Sequence, residues 1–488
     1  MHQLPPDLAP CAVPPPSGPA FDLMTELDGL LAAVGLSRAA AGAGVSFSGE
    51  DPILPARHRL GACIGLPLMA AAVAAVAFHR HRGGPAQQLE LDLRQAVHAI
   101  NPGAFWHPTL SGEPAPHPMV IDNPFLLRPY ATADGRWVMA SGVYPHLAAR
   151  WCRFLDVPPD PDKVAAAIAG WDAFALEDTA SAAGLPVCVV RSPAEWVAHE
   201  QGALLTVRPV IGLERIGDAP VRDFGPAARA FEGVRVLSFT HAVAGPTVGR
   251  TLAEHGADVL GATRPNDYEH EFIYAEANVG SRSAYVDLDS PTGQQRAAAL
   301  LARADVVVNN HRHGSLEGRG LDPARLAEVH PGMVYVSVTG YGSTGPWANR
   351  GGFDMNASAA SGLMTLEGGE AEPKLPVTGL INDYITGYMG AIGASAALVK
   401  QVTEGGSWQV TVNLARTAMW CASLGLVDPA LAGCDNEHSL RQPIPYDASS
   451  PLGDVHMLAP AVSFSHTPAA WRDPILIPRG SCPADWQS

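Results

Sequence analysis

Cysteine is sparse and unpaired in this 488-residue chain: seven residues at scattered positions, with no Cys-x-x-Cys pair. That pattern excludes a disulfide framework and argues against a zinc site. A reducing cytoplasm is its simplest setting. Basic residues are also in deficit, 32 Lys and Arg against 48 Asp and Glu, for a formal net charge of −16. Nucleic-acid partners need clustered Lys and Arg, so that class is excluded. A phosphorylated small ligand is not, since it needs only a local basic patch. The 47% apolar content is ordinary for a globular protein, and the length predicts two or three domains rather than one core.

No basic run leads into an apolar one within Met1–Pro19, which is Pro-rich. The expectation is an irregular segment at residues 1–19 and no signal peptide. Only Leu60–Phe78 approaches the length of a membrane span. It is dominated by Ala and Gly, contains Pro67 and ends in His79-Arg80-His81-Arg82. With no second span, a buried helix is expected and no membrane partner.

Residues 20–117 are Ala/Leu-rich and read as mostly helical. Residues 118–205 mix strands and helices, with a turn at Asp134-Gly135 leading into a strand. Residues 206–230, with Pro209, Pro220 and Pro226, read as a linker. From Val234 the pattern alternates: strand Val234–Phe239, loop Thr240–Pro246, a helix, then strands near Val259, Val306 and Val334. Such alternation predicts an α/β domain over 231–420 with a Rossmann-like parallel sheet, whose ligands bind at the strands' carboxyl ends. The loops there are Thr240–Pro246, Asn310–Gly314 and Thr339–Gly345. None carries the GxGxxG of a nicotinamide site. Residues 421–488 read as a C-terminal segment packing on the large domain.

An internal echo is present. Gly405-Gly406-Ser407-Trp408-Gln409-Val410 resembles Gly84-Pro85-Ala86-Gln87-Gln88-Leu89, each after an Ala-rich helix. Laying Gln88 on Gln409 puts Ala62 opposite Asp383. Asp383 itself opens the small-residue apolar run Met389–Val399. A carboxylate there suits two roles, an N-cap or a group used in chemistry.

Residues 232–420 resemble the class III CoA-transferases, which include formyl-CoA and carnitine CoA-transferases and α-methylacyl-CoA racemases. The ordered series carries the resemblance: Glu232–Leu237, Ala244-Gly245-Pro246, Gly256-Ala257-Asp258-Val259, Arg282-Ser283, Ala304–Val308, Val334–Gly342 and Gly352-Phe353-Asp354. Residues 118–205 resemble the family's smaller α+β domain, displaced ahead of the large one, and Ala461–Pro468 its closing loop. The resemblance implies a rearranged or fused member: the remnant of a silent first copy, a small domain, long connecting helices and one large domain. It also implies a homodimer.

Asp383 falls on the family's nucleophilic aspartate. CoA would pass between an acyl-CoA thioester and a free carboxylic acid through an aspartyl anhydride and an aspartyl-CoA thioester, with no metal or redox cofactor. The resemblance places CoA near Val243, Ala244, Arg264, Arg282, Asn310, His311 and Arg312. The family's lysine before Arg282 is absent here. Phe353 stands where the racemases carry His, which disfavours two-base racemisation. A non-catalytic CoA-binding subunit is a further alternative. Loops Leu110–Pro124 and Met364–Pro376 are expected to shape the acyl pocket.

Overall fold

The computed structural model describes residues 21–106, 108–114 and 123–487. The expectation for residues 1–19 therefore lies outside the described residues, as do residues 115–122 of the loop Leu110–Pro124.

A seven-stranded sheet organises the chain. Its order is Arg282–Tyr285, Asp258–Thr263, Arg235–Phe239, Val306–Asn309, Val334–Thr339, Ser407–Asn413 and Gly212–Gly217. All neighbours are parallel except the last pair. Both faces are covered, so the strands read as Val runs rather than as alternating apolar and polar residues. The pleat still separates two cores. Val236, Val308, Val334 and Val336 face the helices Ala244–Ala253 and Asn382–Thr403. Leu237, Val307 and Tyr335 face the opposite layer with Leu300 and Leu326.

Residues 206–230 are not a bare linker. They supply the antiparallel edge strand Gly212–Gly217, paired with Ser407–Thr411. The prolines that suggested a connector flank that strand and leave its ladder intact.

The first copy is more than helical. Gly42–Ser48 pairs in parallel with Gln87–Asp92, and Leu60–His81 connects them, making a βαβ unit. Gly-rich strand Gly42–Ser48 has weak β propensity, which hid it. Its Val45-Ser46-Phe47-Ser48-Gly49 echoes Val336-Ser337-Val338-Thr339-Gly340. The register agrees: Val45 pairs with Leu89 as Val336 pairs with Val410. The connections differ, residues 49–59 in the first copy against 340–381 in the second. Each unit's helix spans 22 residues, and the two pack against each other. Leu60–His81 is long and apolar enough to cross a membrane, but its apolar window is wholly buried here.

The small unit holds the antiparallel sheet Tyr130–Ala131, Trp137–Ala140 and Val187–Val189. Its own core includes Phe125, Val138, Trp151, Ile168 and Leu176. The C-terminal segment reaches several parts of the molecule. Pro445–Ser450 and Gly453–Leu458 form a hairpin that pairs with Thr109–Leu110. Ser463–Phe464 joins the first copy's strand Gln87–Asp92. Cys482 then donates its N–H to the Ser283 carbonyl at the sheet's edge.

Candidate active site

Helix Asn382–Thr403 begins with orphan amides that need an acceptor. Asp354, from the start of helix Asp354–Ser361, supplies it. Its Oδ2 accepts from the main-chain N–H groups of Ile381, Asn382 and Asp383 at 3.1, 2.5 and 2.9 Å. The capping role open to Asp383 is thus taken by Asp354, which is fully buried. Burial pushes Asp354 up to about 6 while the three amides pull it down. Asp383 is pushed well above the usual carboxylate range, first by burial and then by the Asp354 charge. The first copy repeats the device without the acid: Asp51 accepts from Gly61 and Ala62 at 2.8 and 2.7 Å.

Glycines set how close this helix comes to helix Ala244–Ala253. A methyl on Gly387 would stand 2.5 Å from Thr247 Cβ and 2.7 Å from the Ala244 carbonyl oxygen. One on Gly390 would meet Val248 at 2.7 Å. Asp383 therefore sits beside the loop that opens helix Ala244–Ala253. It lines a small cavity with Ala242, Val243, Phe353 and several apolar side chains.

A much larger open cleft, about 2260 Å³, lies at the carboxyl ends of the strands. It runs between Thr240-His241, Asn310–His313 and Thr339-Gly340 on one side and Tyr144–Leu147 with Arg150 of the small unit on the other. Phe353 lines both cavities. Arg150, Arg264, Arg312, Arg319, Arg350 and Arg479 line the cleft against Asp267, Glu269 and Asp289. A basic patch therefore stands on an acidic protein.

The anticipated residues divide. Arg264 is half-exposed in the cleft and paired with Asp289 at 2.8 Å; Arg319 holds the other oxygen at 2.7 Å. Arg312 and His311 line the same wall. Burial and the neighbouring His241 push His311 down to about 4, so it is neutral at pH 7. Asn310 lines the cleft, but its amide is a staple. Oδ1 accepts the His241 N–H at 3.0 Å and Nδ2 donates to the His241 carbonyl at 2.7 Å. Val243 faces the Asp383 cavity rather than the cleft. Ala244 is buried as the first residue of its helix.

Arg282 is a correction. It pairs with Asp258 through two bonds of 2.8 Å and donates to the Asp485 carbonyl at 2.7 Å. It opens strand Arg282–Tyr285 at the amino end of the sheet, away from the cleft. Its place in a motif carried no information about which end of the strand its side chain would meet.

Sequence reading missed the link between the small unit and the loop. Ala242 has φ +58°, a left-handed conformation costly for a residue with Cβ. Its N–H donates to Glu269 Oε2 at 2.8 Å, and Tyr144 donates to Glu269 Oε1 at 3.1 Å. Burial raises Glu269 above its ordinary range. Nothing in the local sequence of either residue signals the contact.

The model of CoA-transferase family III matches residues 31–207 and 231–448. The chain belongs to CoA-transferase family III. The two-segment match fits a rearranged or fused member. Among similar proteins of this family is the human succinyl-CoA:glutarate CoA-transferase, 32% identical over 40% of this chain and 47% of that one. The cinnamoyl-CoA:phenyllactate CoA-transferase of Clostridium sporogenes is 32% identical over 44% of this chain and 55% of its own. A crystal structure of a hypothetical protein from Mycobacterium tuberculosis matches with 30% identity and a TM-score of 0.37, covering 39% of this chain and 56% of that one. The chain spans about half the length of the curated relatives it matches.

Proposed function

We propose that this family III chain moves CoA from an acyl-CoA thioester to a free carboxylic acid, with Asp383 as the nucleophile. The observation that carries the reading is the separation of roles between two carboxylates. Asp354 caps the helix, which leaves Asp383 facing a cavity next to an arginine-lined cleft.

An Asp383 oxygen attacks the thioester carbonyl, the C–S bond breaks, and an acyl-aspartyl anhydride and CoA thiolate form. The thiolate attacks the aspartyl carbonyl, releasing the donor acid and leaving an aspartyl-CoA thioester. The acceptor carboxylate attacks that thioester and expels the thiolate. The thiolate then attacks the acceptor's acyl carbon, giving the new acyl-CoA and restoring Asp383. Each bond broken is matched by one formed, so the cycle balances without an oxidant or a metal. A carboxyl of raised pKa is the stronger nucleophile once ionised. Ala242 and Val243, which lead into helix Ala244–Ala253, line the cavity with Asp383, and free main-chain N–H groups at a helix start suit a developing oxyanion. The arginines of the cleft suit the phosphates of CoA.

Racemisation fits poorly. Phe353 cannot carry a proton, and Asp354 is committed to three amides.

Incubation with an acyl-CoA followed by hydroxylamine or borohydride trapping should mark Asp383. Asp383→Ala should lose several orders of magnitude in turnover. Retention of more than about 10% of turnover would end the covalent reading.

A further inference from the structure

The cavity beside Asp383 differs in kind from the cleft it adjoins. It is a much smaller recess, partly open to solvent. Leu127, Val143, Phe272, Ile273, Phe353 and Leu380 give it apolar walls. Among the described lining residues the polar side chains are Asn101, Tyr384 and Asp383 itself; none is Arg, Lys or His. None of the six arginines that line the neighbouring cleft lines this cavity. Arg250, a buried cation, lines a different cavity, with Glu254 and Tyr388. It interacts with Tyr388, Glu276, Tyr384 and Glu254, and its guanidinium lies 5.4 Å from the centre of the Trp471 ring.

We propose that the acyl group seated here is an uncharged aliphatic or aromatic one, and that dicarboxylic acids are rejected. This rests on the CoA-transfer reading above. With its thioester carbonyl at Asp383, an acyl chain extends along the apolar walls. Each methylene so buried favours binding by roughly fourfold. A second carboxylate on that chain would enter a cavity whose described lining residues include no cation. It would also approach the Asp354–Asp383 pair, where like charge already opposes ionisation. Asn101 gives the first copy a share in this selectivity. Its Nδ2 donates to the Thr378 carbonyl at 2.7 Å, fixing it at the rim. The loops expected to shape this pocket do not line it among the described residues. Leu110 pairs with Val455 instead, and helix Leu363–Gly368 lies against the first copy through Glu367 and the Arg57 amide.

The test uses the full chain with hexanoyl-, 3-phenylpropanoyl-, succinyl- and glutaryl-CoA. It reads kcat/KM for transfer and the trapped Asp383 adduct by mass spectrometry. The apolar donors should exceed the dicarboxylic ones by 100-fold or more. Leu127→Arg, which brings a cation to the half-buried cavity wall, should narrow that ratio at least tenfold; its thermal midpoint and CoA affinity are measured alongside as controls on folding. An adduct on Asp383 with succinyl- or glutaryl-CoA equal or preferred would overturn the selectivity alone. A ratio unmoved in a folded Leu127→Arg would show that acyl groups bind elsewhere. No adduct on Asp383 from any of the four, with CoA still bound, would overturn the transfer reading together with this one.

Discussion

Asp354 Oδ2 accepts the main-chain N–H of Asp383 at 2.9 Å. One carboxylate thereby holds the helix, and its charge makes it harder for the next to ionise. As the proposed nucleophile, Asp383 would react only as the carboxylate, while burial and Asp354 hold its proton on. Adduct formation should therefore rise with pH across a value well above the ordinary carboxylate range near 4. Asp354→Asn should move that rise to lower pH, at a cost of about 1 kcal/mol in helix capping. The pH profile of single-turnover adduct formation reads both effects, and an unmoved profile in Asp354→Asn would remove the coupling.

The same raised pKa has a stability consequence of opposite sign. Below pH 4 both folded and unfolded Asp383 are protonated, and the group is neutral towards folding. Between about 4 and the raised folded value only the unfolded chain ionises freely, so stability falls as pH rises. Asp383→Asn cannot ionise and should escape that loss. We expect it to be more stable than the wild type at pH 7 by roughly 0.5–2 kcal/mol, with the difference vanishing near pH 4. Urea midpoints at the two pH values measure it.

Arg264 and Arg282 should separate cleanly. Arg264 is half-exposed in the cleft, and its truncation should weaken CoA binding by roughly 1–3 kcal/mol with little change in stability. Arg282 is buried in its ion pair with Asp258, so Arg282→Ala should cost about 3 kcal/mol of stability and leave CoA affinity near wild type. Calorimetry and denaturant melts of both variants decide it.

Gly387→Ala should harm both packing and turnover. Its new methyl would meet Thr247 at 2.5 Å and the Ala244 carbonyl at 2.7 Å, and the second of these is backbone. Overpacking of this kind costs roughly 1–3 kcal/mol. The helix carrying Asp383 would be displaced from helix Ala244–Ala253, so a fall in kcat beyond the loss of folded protein is expected. Steady-state rates corrected for folded fraction test it.

The sequence alone was enough to show the family, because an ordered series of short motifs is far more specific than any one of them, and that series is what singles out Asp383 as the proposed nucleophile. It also showed the parallel sheet, since strands buried on both faces read as apolar runs such as Val306-Val307-Val308. The exposed, Gly-rich strand Gly42–Ser48 left no such signature. What only the tertiary structure decided were pairings between distant segments. Asp354 reaches three amides beyond residue 380, and Glu269 joins Tyr144 to Ala242. Arg282 turns to Asp258 at the amino end of the sheet. Gly212–Gly217 becomes an edge strand because Ser407–Asn413 offers it an unpaired ladder. Hydrogen bonds and ion pairs of this kind depend on where a strand end or helix end lies in space, and no local pattern of residues encodes that position.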